Sequence, residues 1–343
     1  MDGGLRADLQ ASGVEVLVRP LAVMRRAAMS PPGLARIGAQ VAKDAGGLSR
    51  LVRGRGVALV HTNTSVTLGG AAAARLGGVP HVWHLREIYT GFERYWPTYR
   101  RLLLSADALP CVSEATRAQL GADRGIVMHD GLAVTPQRAD RAAARAALGF
   151  DGDDAFVVAI LGRISSWKGQ DVLISALADP ALSGGDTIAL VAGDPWPGEE
   201  RRLGELRSLA ASLGVAERVC FAGFRPDLAN LYGGADVIAV PSTQPDPLPN
   251  SALEAAAAGC CVVAADHGGL PEILSDGRTG RLVAPGDPAA LATAIAQLRA
   301  DPAQRERLGT AAAADVRERF APARLLARTQ ALYDDLLEPV AAD

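Results

Sequence analysis

Short apolar runs rich in β-branched residues alternate along the chain with stretches rich in Ala, Leu and Arg. The apolar runs are bounded by Gly, Pro or Asp, which is typical of strands that are buried on both faces of a sheet. We therefore predict two successive sets of strands. The first set covers residues 14–18, 57–61, 81–84, 108–112 and 126–128, and the second covers residues 156–161, 188–192, 219–222, 237–240 and 262–265.

The stretches between these strands have the composition of helices, for example at residues 5–11, 141–148 and 252–258, and a further helix is expected from about Gln170. Strands that alternate with helices form parallel sheets covered on both sides. A polar break at residues 149–154 separates the two sets of strands. The pattern predicts two α/β domains with a cleft between them.

The length of 343 residues exceeds what one hydrophobic core usually supports, which agrees with two domains. A hydrophobic content of 49% argues against disorder, and a net charge of −3 argues against a protein that wraps nucleic acid. No apolar run approaches the ~20 residues of a membrane span, and the first residues lack a signal-peptide layout. The four cysteines, none at metal-ligand spacing, fit a reducing compartment, so we expect a cytoplasmic protein.

The first candidate for chemistry follows the predicted strand at residues 156–161. In open parallel sheets, ligands bind beyond the carboxyl ends of the strands. Arg163 follows Gly162 there, and Lys168-Gly169 stands just before the next helix. Two cations on a strand–loop–helix turn can hold a diphosphate, and the helix N-terminus adds N–H donors. The alternative is a pair of solvated surface cations.

A second candidate lies between the strand at residues 237–240 and the next helix. Asp246 and Glu254 are placed to accept hydrogen bonds from sugar or ribose hydroxyls, and Asn250 or Ser251 is expected to cap the helix at residues 252–258. The alternative is an acidic turn followed by a Glu on a helix face.

Two further candidates follow other strands. Gly268-Gly269 allow backbone to approach a ligand closely, or they form an ordinary Gly-rich turn. His84 closes a predicted strand just before Arg86 and Glu87, although a lone histidine is more often structural. His61 and His129 are weaker candidates for chemistry.

Taken together, these motifs resemble glycosyltransferase family 4, a group of retaining, nucleotide-sugar-dependent enzymes with the GT-B fold. The pair Gly162-Arg163 with Lys168-Gly169 is similar to the diphosphate clamp of that family, and Asp246 and Glu254 occupy its E-x7-E motif. The other matching segments are Ala258-Gly259-Cys260-Cys261-Val262-Val263-Ala264, Gly268-Gly269-Leu270-Pro271-Glu272, His84, Val112-Ser113 and a closing helix at residues 319–337 with Tyr333.

The resemblance implies a GT-B-like α/β fold of two Rossmann-type domains whose parallel sheets face each other across a cleft. We expect an acceptor-side domain at residues 1–137, a linker at 138–153 and a nucleotide-sugar domain at 154–318. Residues 319–343 would form a helix that crosses back to the first domain.

The resemblance also implies roles for the candidate residues. Arg163 and Lys168 would bind the donor diphosphate, Asp246 the sugar hydroxyls and Glu254 the ribose, while His84 would lie near the transferred sugar. The remaining donor-binding residues would be Gly162, Leu248, Pro249, Asn250, Ser251, Gly268 and Gly269. No metal or other cofactor is expected, because fixed cations supply the charge stabilisation. The sequence Asp151-Gly152-Asp153 has the letters of a metal-binding D-x-D motif but is expected to be a solvated turn.

The expected function is therefore transfer of a hexosyl-type sugar from a nucleoside diphosphate sugar, with retention of configuration. The acceptor would be a sugar, a lipid-linked molecule or a small molecule. Residues 94–104 combine cations, aromatic residues and Leu, which fits either peripheral contact with the inner membrane face or a helix packed on its own domain.

Two departures from the family pattern leave a second hypothesis open. Asp246 replaces the first Glu of E-x7-E, and the usual N-terminal strand and Gly-rich loop do not precede the helix at residues 5–11. The alternative is a non-catalytic nucleotide-sugar-binding remnant or a truncated fragment of such an enzyme. A nicotinamide-dependent oxidoreductase is disfavoured, because Gly54-Arg55-Gly56 precedes a strand and lacks the third Gly of G-x-G-x-x-G.

Overall fold

A computed structural model describes residues 4–25, 28–121, 124–132, 134–150, 155–184 and 186–338. Its contacts divide the chain into two compact units. The first unit comprises Met1–His84, Arg101–Leu109 and Leu336–Asp343, and the second comprises Leu85–Arg100 and Pro110–Asp335. Asp151-Gly152-Asp153, which we expect to form a solvated turn, lies outside the described residues.

The first unit contains a short parallel pair of strands and the helices around it. Its elements are α1 (Gly4–Ala11), α2 (Pro31–Gly54), β1 (Val60–Thr62), α3 (Gly69–Gly77) and β2 (His81–Trp83). β1 and β2 pair in parallel, with Val60 opposite His81. Helix α2 begins at Pro31 because the Ser30 side chain caps it by accepting a hydrogen bond from the Gly33 N–H.

Four short elements follow along the chain: α4 (Trp96–Leu103), β3 (Leu109–Cys111), α5 (Glu114–Ala118) and β4 (Gly125–Val127). β3 and β4 form a two-stranded sheet. Helix α5 begins directly after β3 because Ser113 caps it, with its hydroxyl accepting from the Thr116 N–H.

The second unit is built on a six-stranded parallel sheet of order β10-β9-β8-β5-β6-β7. Its strands are β5 (Phe156–Leu161), β6 (Thr187–Ala192), β7 (Val219–Gly223), β8 (Val237–Val240), β9 (Val262–Ala265) and β10 (Arg281–Val283). From β5 the chain builds outward through β6 and β7, then returns to β8 on the other side of β5. The strand order therefore reverses between β5 and β8, which is where open α/β sheets bind ligands.

Nine helices are described from residue 141 onward, α6 before β5 and the others between or after the strands. They are α6 (Arg141–Leu148), α7 (Gln170–Leu177), α8 (Arg201–Ser212), α9 (Leu228–Gly234), α10 (Asn250–Ala257), α11 (Leu270–Ile273), α12 (Pro288–Ala300), α13 (Pro302–Arg319) and α14 (Pro322–Leu337). Short 3-10 turns lie at Pro180–Leu182 and Ala216–Arg218. None of the helices in the described ranges is long and apolar enough to cross a bilayer.

Both faces of the six-stranded sheet are packed. Alternate residues of β5 point to opposite sides, so that Val157 and Ala159 join one apolar cluster while Val158 and Ile160 join the other. Every residue of β5 is buried, as the continuous apolar run predicts. The α/β class and the parallel sheets are confirmed.

Most predicted strands are confirmed, but one predicted strand is absent and one observed strand was not predicted. β5, β8 and β9 have the predicted bounds, whereas β1 begins only at Val60. Residues 14–18 form no strand: Val14 and Val18 are exposed, and no described segment pairs with this stretch. β10 was not predicted because it is short and begins with Arg281.

Candidate active site

Two adjoining cavities lie at the carboxyl ends of β5, β6 and β8. One, of about 510 Å³, lies between the loop after β5 and the start of α10. The other, of about 440 Å³, extends past the ends of β6 and β7. Both are lined by Leu161, Gly162, Arg163, Trp196 and Ser251, so they form one continuous cleft. Almost all predicted donor-binding residues line this cleft.

Bare backbone lines the cleft at the end of β5. Gly162 has a φ of 136°, a value that L side chains rarely adopt, and no atom lies within 4 Å of the position that a Cβ would take. The neighbouring Gly193 is needed for packing, since a Cβ there would lie 2.0 Å from the Gly162 carbonyl oxygen. A ligand can therefore reach the Gly162 backbone closely.

Arg163 is positioned by an aromatic side chain that was not predicted from the sequence. Its guanidinium carbon lies 3.2 Å from the ring centroid of Trp196, a stacked cation–π arrangement. Desolvation lowers the pKa of Arg163 and Glu199 opposes that shift, and the guanidinium stays protonated. The signal that could have found Trp196 is the Pro195-Trp196-Pro197 sequence, which begins three residues after Ala192, the end of β6.

Lys168 and Asp246 form an ion pair with each other. The Lys168 Nζ lies 2.6 Å from the Asp246 Oδ2, and it also lies 4.3 Å from the ring centroid of Trp167. Asp246 is only 6% exposed. Gly169 allows this pairing because its φ is 81° and a Cβ would lie 1.9 Å from the Pro241 carbonyl oxygen. The loop after β5 is thereby held against the loop after β8.

The paired glycines support the loop that carries Asp246. A Cβ on Gly268 would lie 2.5 Å from the Asp246 carbonyl oxygen, and one on Gly269 would lie 2.1 Å from that of Pro247. The Gly269 N–H also donates to the Asp246 carbonyl, at 2.8 Å. Protein backbone therefore lies against the Cβ positions of both glycines, and direct donor binding by these glycines stays a prediction.

The helix at the cleft begins earlier than predicted. α10 starts at Asn250, its N-cap is Pro249, and no side chain caps it. The prediction that Asn250 or Ser251 caps a helix starting at Ala252 is wrong, because Asn250 is itself the first residue of the helix. Asn250 and Ser251 line the cleft at this N-terminus, where the helix dipole favours an anion.

Glu254 lies one turn further along α10. The Tyr232 hydroxyl donates to the Glu254 Oε2 at 3.2 Å. Burial raises the pKa of Glu254, and the Tyr232 hydrogen bond opposes the rise. Glu254 lines the second cavity together with Arg225 and Phe224, and Phe224 is 72% exposed. Tyr232 was not predicted, since its helix α9 carries no motif.

Glu272 forms a second polar cluster that joins two segments of the second unit. Its carboxylate accepts from the backbone N–H groups of Glu114 and Ala115, at 2.8 and 3.0 Å, and bonds to the His129 Nε2 at 2.8 Å. Burial alone would raise the pKa of Glu272, but the hydrogen bonds from His129, Glu114 and Ala115 together lower it. Glu272, the last residue of the Gly-Gly-Leu-Pro-Glu segment, thus links its own segment to residues 114–129 through hydrogen bonds.

Replacing Glu272 by Gln will lower stability at neutral pH, and the deficit will shrink in acid. A lowered folded-state pKa means that the carboxylate contributes stability above the pKa of unfolded Glu, about 4.3. That contribution is lost as the pH falls through the folded-state pKa. Chemical denaturation from about pH 3 to about pH 7 measures it. Glu318→Gln, at an exposed position of α13, is the control; a Glu272→Gln deficit that is equal at every pH would contradict the assignment.

His84 lies in the first unit and the residues of the cleft lie in the second. Its backbone N–H donates to the Thr62 carbonyl at 2.9 Å, its ring centroid is 5.6 Å from that of His61, and it is 4% exposed. The role of His84 near a transferred sugar stays a prediction. Two residues further along, Arg86 forms a bidentate ion pair with Asp130.

The aromatic residues of the segment that could contact a membrane pack on one another. Phe92 and Tyr99 are buried, and the Tyr89 ring centroid lies 5.2 to 5.5 Å from those of Phe92, Trp96 and Tyr99. This packing favours the alternative in which α4 packs on its own domain. Within the described ranges, no group of three or more His, Cys, Asp or Glu residues is arranged to hold a metal ion.

The chain matches two family profiles that together span most of its length. Residues 140–315 match "Glycosyl transferases group 1", and residues 6–136 match "Glycosyltransferase Family 4". The D-inositol 3-phosphate glycosyltransferase of Streptomyces avermitilis is 41% identical over 220 residues, which is 61% of this chain and 45% of that protein. The protein of the same name from Mycolicibacterium vanbaalenii is 35% identical over 264 residues, which is 73% of this chain and 56% of that protein. The chain thus spans about half the length of these relatives.

Solved structures are similar to nearly the whole chain. Anabaena Alr3699/HepE in complex with UDP and glucose superposes with a TM-score of 0.81 at 26% identity, covering 98% of this chain and 90% of that one. Sucrose-phosphate synthase from Thermosynechococcus elongatus, at 24% identity, superposes with a TM-score of 0.74 over 94% of this chain and 82% of that one, which bears on the fold alone. The prediction of a GT-B-like fold is confirmed.

Proposed function

Because the chain belongs to the glycosyl transferases group 1 family, we propose that it transfers a hexosyl group from a nucleoside diphosphate sugar to an acceptor, with retention of configuration. The observation that carries the proposal is the cleft itself. It brings Arg163, Lys168, the open Gly162 backbone and the N-terminus of α10 to one place, at the point where the strand order reverses. These are groups that bind an anion with two adjacent phosphates.

The diphosphate is the leaving group, and it gains negative charge as the bond to the sugar breaks. Arg163 offers a planar fork of N–H donors that Trp196 holds in place, and Lys168 offers a compact charge. Fixed donors aimed at developing charge stabilise the transition state more than the ground state. In this proposal these two side chains and the α10 N-terminus stabilise the leaving group without a metal ion.

The ion pair between Lys168 and Asp246 gives both residues a part in the same step. A lysine ammonium has three N–H donors, so Lys168 can keep Asp246 as a partner and still donate to a phosphate. Asp246 has a second carboxylate oxygen, which can accept from a sugar hydroxyl. The side chain of Asp is shorter than that of Glu, and at this length Asp246 contacts Lys168 directly.

The second cavity is proposed to hold the nucleoside. Glu254 would accept from ribose hydroxyls, with its carboxylate oriented by Tyr232. The base would lie among the apolar residues near Trp196 and Phe224. We propose uracil as the base, because Alr3699/HepE was solved with UDP and glucose and with UDP-glucose, and it is 26% identical to this chain in both complexes.

A non-catalytic nucleotide-sugar-binding protein is the second candidate. The Lys168–Asp246 ion pair favours it, because Asp246 neutralises one of the two cations that the leaving group requires. In that case the donor would bind but would not be broken down. The two candidates therefore differ in turnover and agree in binding.

Incubation with UDP-glucose separates them. We expect slow release of UDP to water, with glucose appearing first as the α anomer by NMR, and an unchanged rate in EDTA. Initial appearance of the β anomer would contradict retention, and a rate abolished by EDTA would contradict metal independence. Tight binding of UDP-glucose with no UDP release, with or without candidate sugar, lipid-linked or small-molecule acceptors, would favour the second candidate.

A further inference from the structure

A third cavity, of about 670 Å³, lies at the amino ends of the strands of the six-stranded sheet, at the end opposite the cleft. Its lining includes Ala235 and Asp236, directly before β8, and Gly259 and Cys261, directly before β9. These positions mark the amino ends of strands, whereas the cleft lies at the carboxyl ends. The third cavity is therefore separate from the proposed donor site.

Four arginines line this cavity: Arg138, Arg141, Arg305 and Arg317. The lining carboxylates are Asp236 and Glu306. A chain with a net charge of −3 thus concentrates positive charge at one cavity. Guanidinium groups keep their charge at any physiological pH, so this cavity is permanently cationic.

Asp236 does not neutralise the whole set. It is buried, and its Oδ2 accepts from the Arg145 Nη2 and from the Val157 N–H, both at 2.8 Å. Its Oδ1 lies 2.9 Å from the Arg141 Nη2. Arg145 and Arg141 therefore neutralise the charge of Asp236. The Arg305 Nη2 lies further away, at 4.0 Å from the Asp236 Oδ1.

Arg317 and Arg138 contact helix and turn carbonyls, but those contacts use only part of their donors. Arg317 donates its Nε–H and an Nη2–H to the Ala257 carbonyl, at 3.0 and 2.7 Å, and Arg138 donates an Nη1–H to the Gly259 carbonyl at 3.1 Å. A guanidinium has five N–H groups. Within the described chain, these contacts use two donors of Arg317 and one of Arg138, on side chains that line an open cavity.

We infer that this arginine-lined cavity binds a multiply charged phosphate anion of the pyrophosphate type. The lining contains four arginines and only two carboxylates, so it keeps an excess of positive charge. Guanidinium forks match phosphate oxygens in pairs, and several forks around one cavity suit an anion with more than one phosphate. The described lining has no aromatic side chain on which a nucleobase could stack, so the ligand is the anion without a nucleoside.

The test is isothermal titration with inorganic pyrophosphate at constant ionic strength. It is made in an Arg163→Ala, Lys168→Ala background, so that the proposed donor site contributes no binding. We expect binding in this background. Arg138→Gln and Arg317→Gln should each weaken it by about tenfold or more, because each removes a charged donor to phosphate.

Arg307→Gln is the matched control. Arg307 lies on the same helix as Arg305 and Arg317, carries the same charge and does not line the cavity. It should leave pyrophosphate binding unchanged. Absence of binding in the background, or equal weakening by Arg307→Gln and Arg138→Gln, would overturn the proposal. Arg138→Gln keeps the test decisive if Arg317→Gln, which removes the contact to Ala257, lowers the melting temperature.

Discussion

Replacing Arg163 by Ala will lower donor turnover by about a hundredfold or more, the cost of removing one fixed donor to developing charge. The protein will keep its fold, because Arg163 is exposed and its main described side-chain contact is the stack on Trp196. Turnover is measured as UDP release from UDP-glucose, and folding by the melting temperature.

Lys168→Ala will cause a similar loss of turnover and a larger loss of stability. The substitution leaves Asp246 buried without its partner, which costs roughly 1–3 kcal/mol. The double variant Lys168→Ala, Asp246→Ala removes both charges and should regain much of that stability but none of the turnover. Turnover like that of the wild type in both Arg163→Ala and Lys168→Ala would contradict the diphosphate assignment.

His84→Ala will abolish most sugar transfer and leave nucleoside diphosphate binding largely unchanged. The reason is that the proposed role of His84 concerns the transferred sugar and not the diphosphate. Loss of one positioned polar group at the reacting centre costs about a hundredfold or more. Transfer rates and UDP affinity measured on the same preparation distinguish the two effects.

His81→Ala serves as the stability comparison for His84. His81 is equally buried, hydrogen bonds to the Thr62 hydroxyl at 2.8 Å, and burial lowers its pKa to about 4. It is therefore a neutral, structural histidine at neutral pH. If His84→Ala unfolds the protein as much as His81→Ala does, His84 is structural as well; unchanged transfer in a folded His84→Ala would equally contradict its proposed role.

The sequence predicted the central sheet well because its strands are buried on both faces. Continuous apolar runs such as Phe156–Leu161 have one stable environment, the middle of a covered parallel sheet. Residues 14–18 have a similar composition but pair with no described strand, so apolar content alone was misleading there. Conversely, Arg281–Val283 pairs with β9 although its sequence is not that of a buried strand.

The candidate site was predictable where the topology alone brings residues together. Parallel strands place the loops that follow them at one end of the sheet, so Arg163 and Asp246, which both follow strands, lie at the same end. Their supporting contacts depend on packing between distant segments. The stack of Trp196 on Arg163 and the hydrogen bond from Tyr232 to Glu254 have no signature in spacing or composition.

The most direct test of the nucleotide site is a thermal-shift screen of the chain with UDP, GDP, ADP and CDP, each with and without EDTA. A ligand at about 100 times its Kd stabilises the folded state by about 2.7 kcal/mol, which raises the melting temperature by several degrees. We predict such a shift for UDP, unchanged by EDTA and lost in Arg163→Ala. No shift with any of the four nucleotides would contradict the proposed nucleotide site.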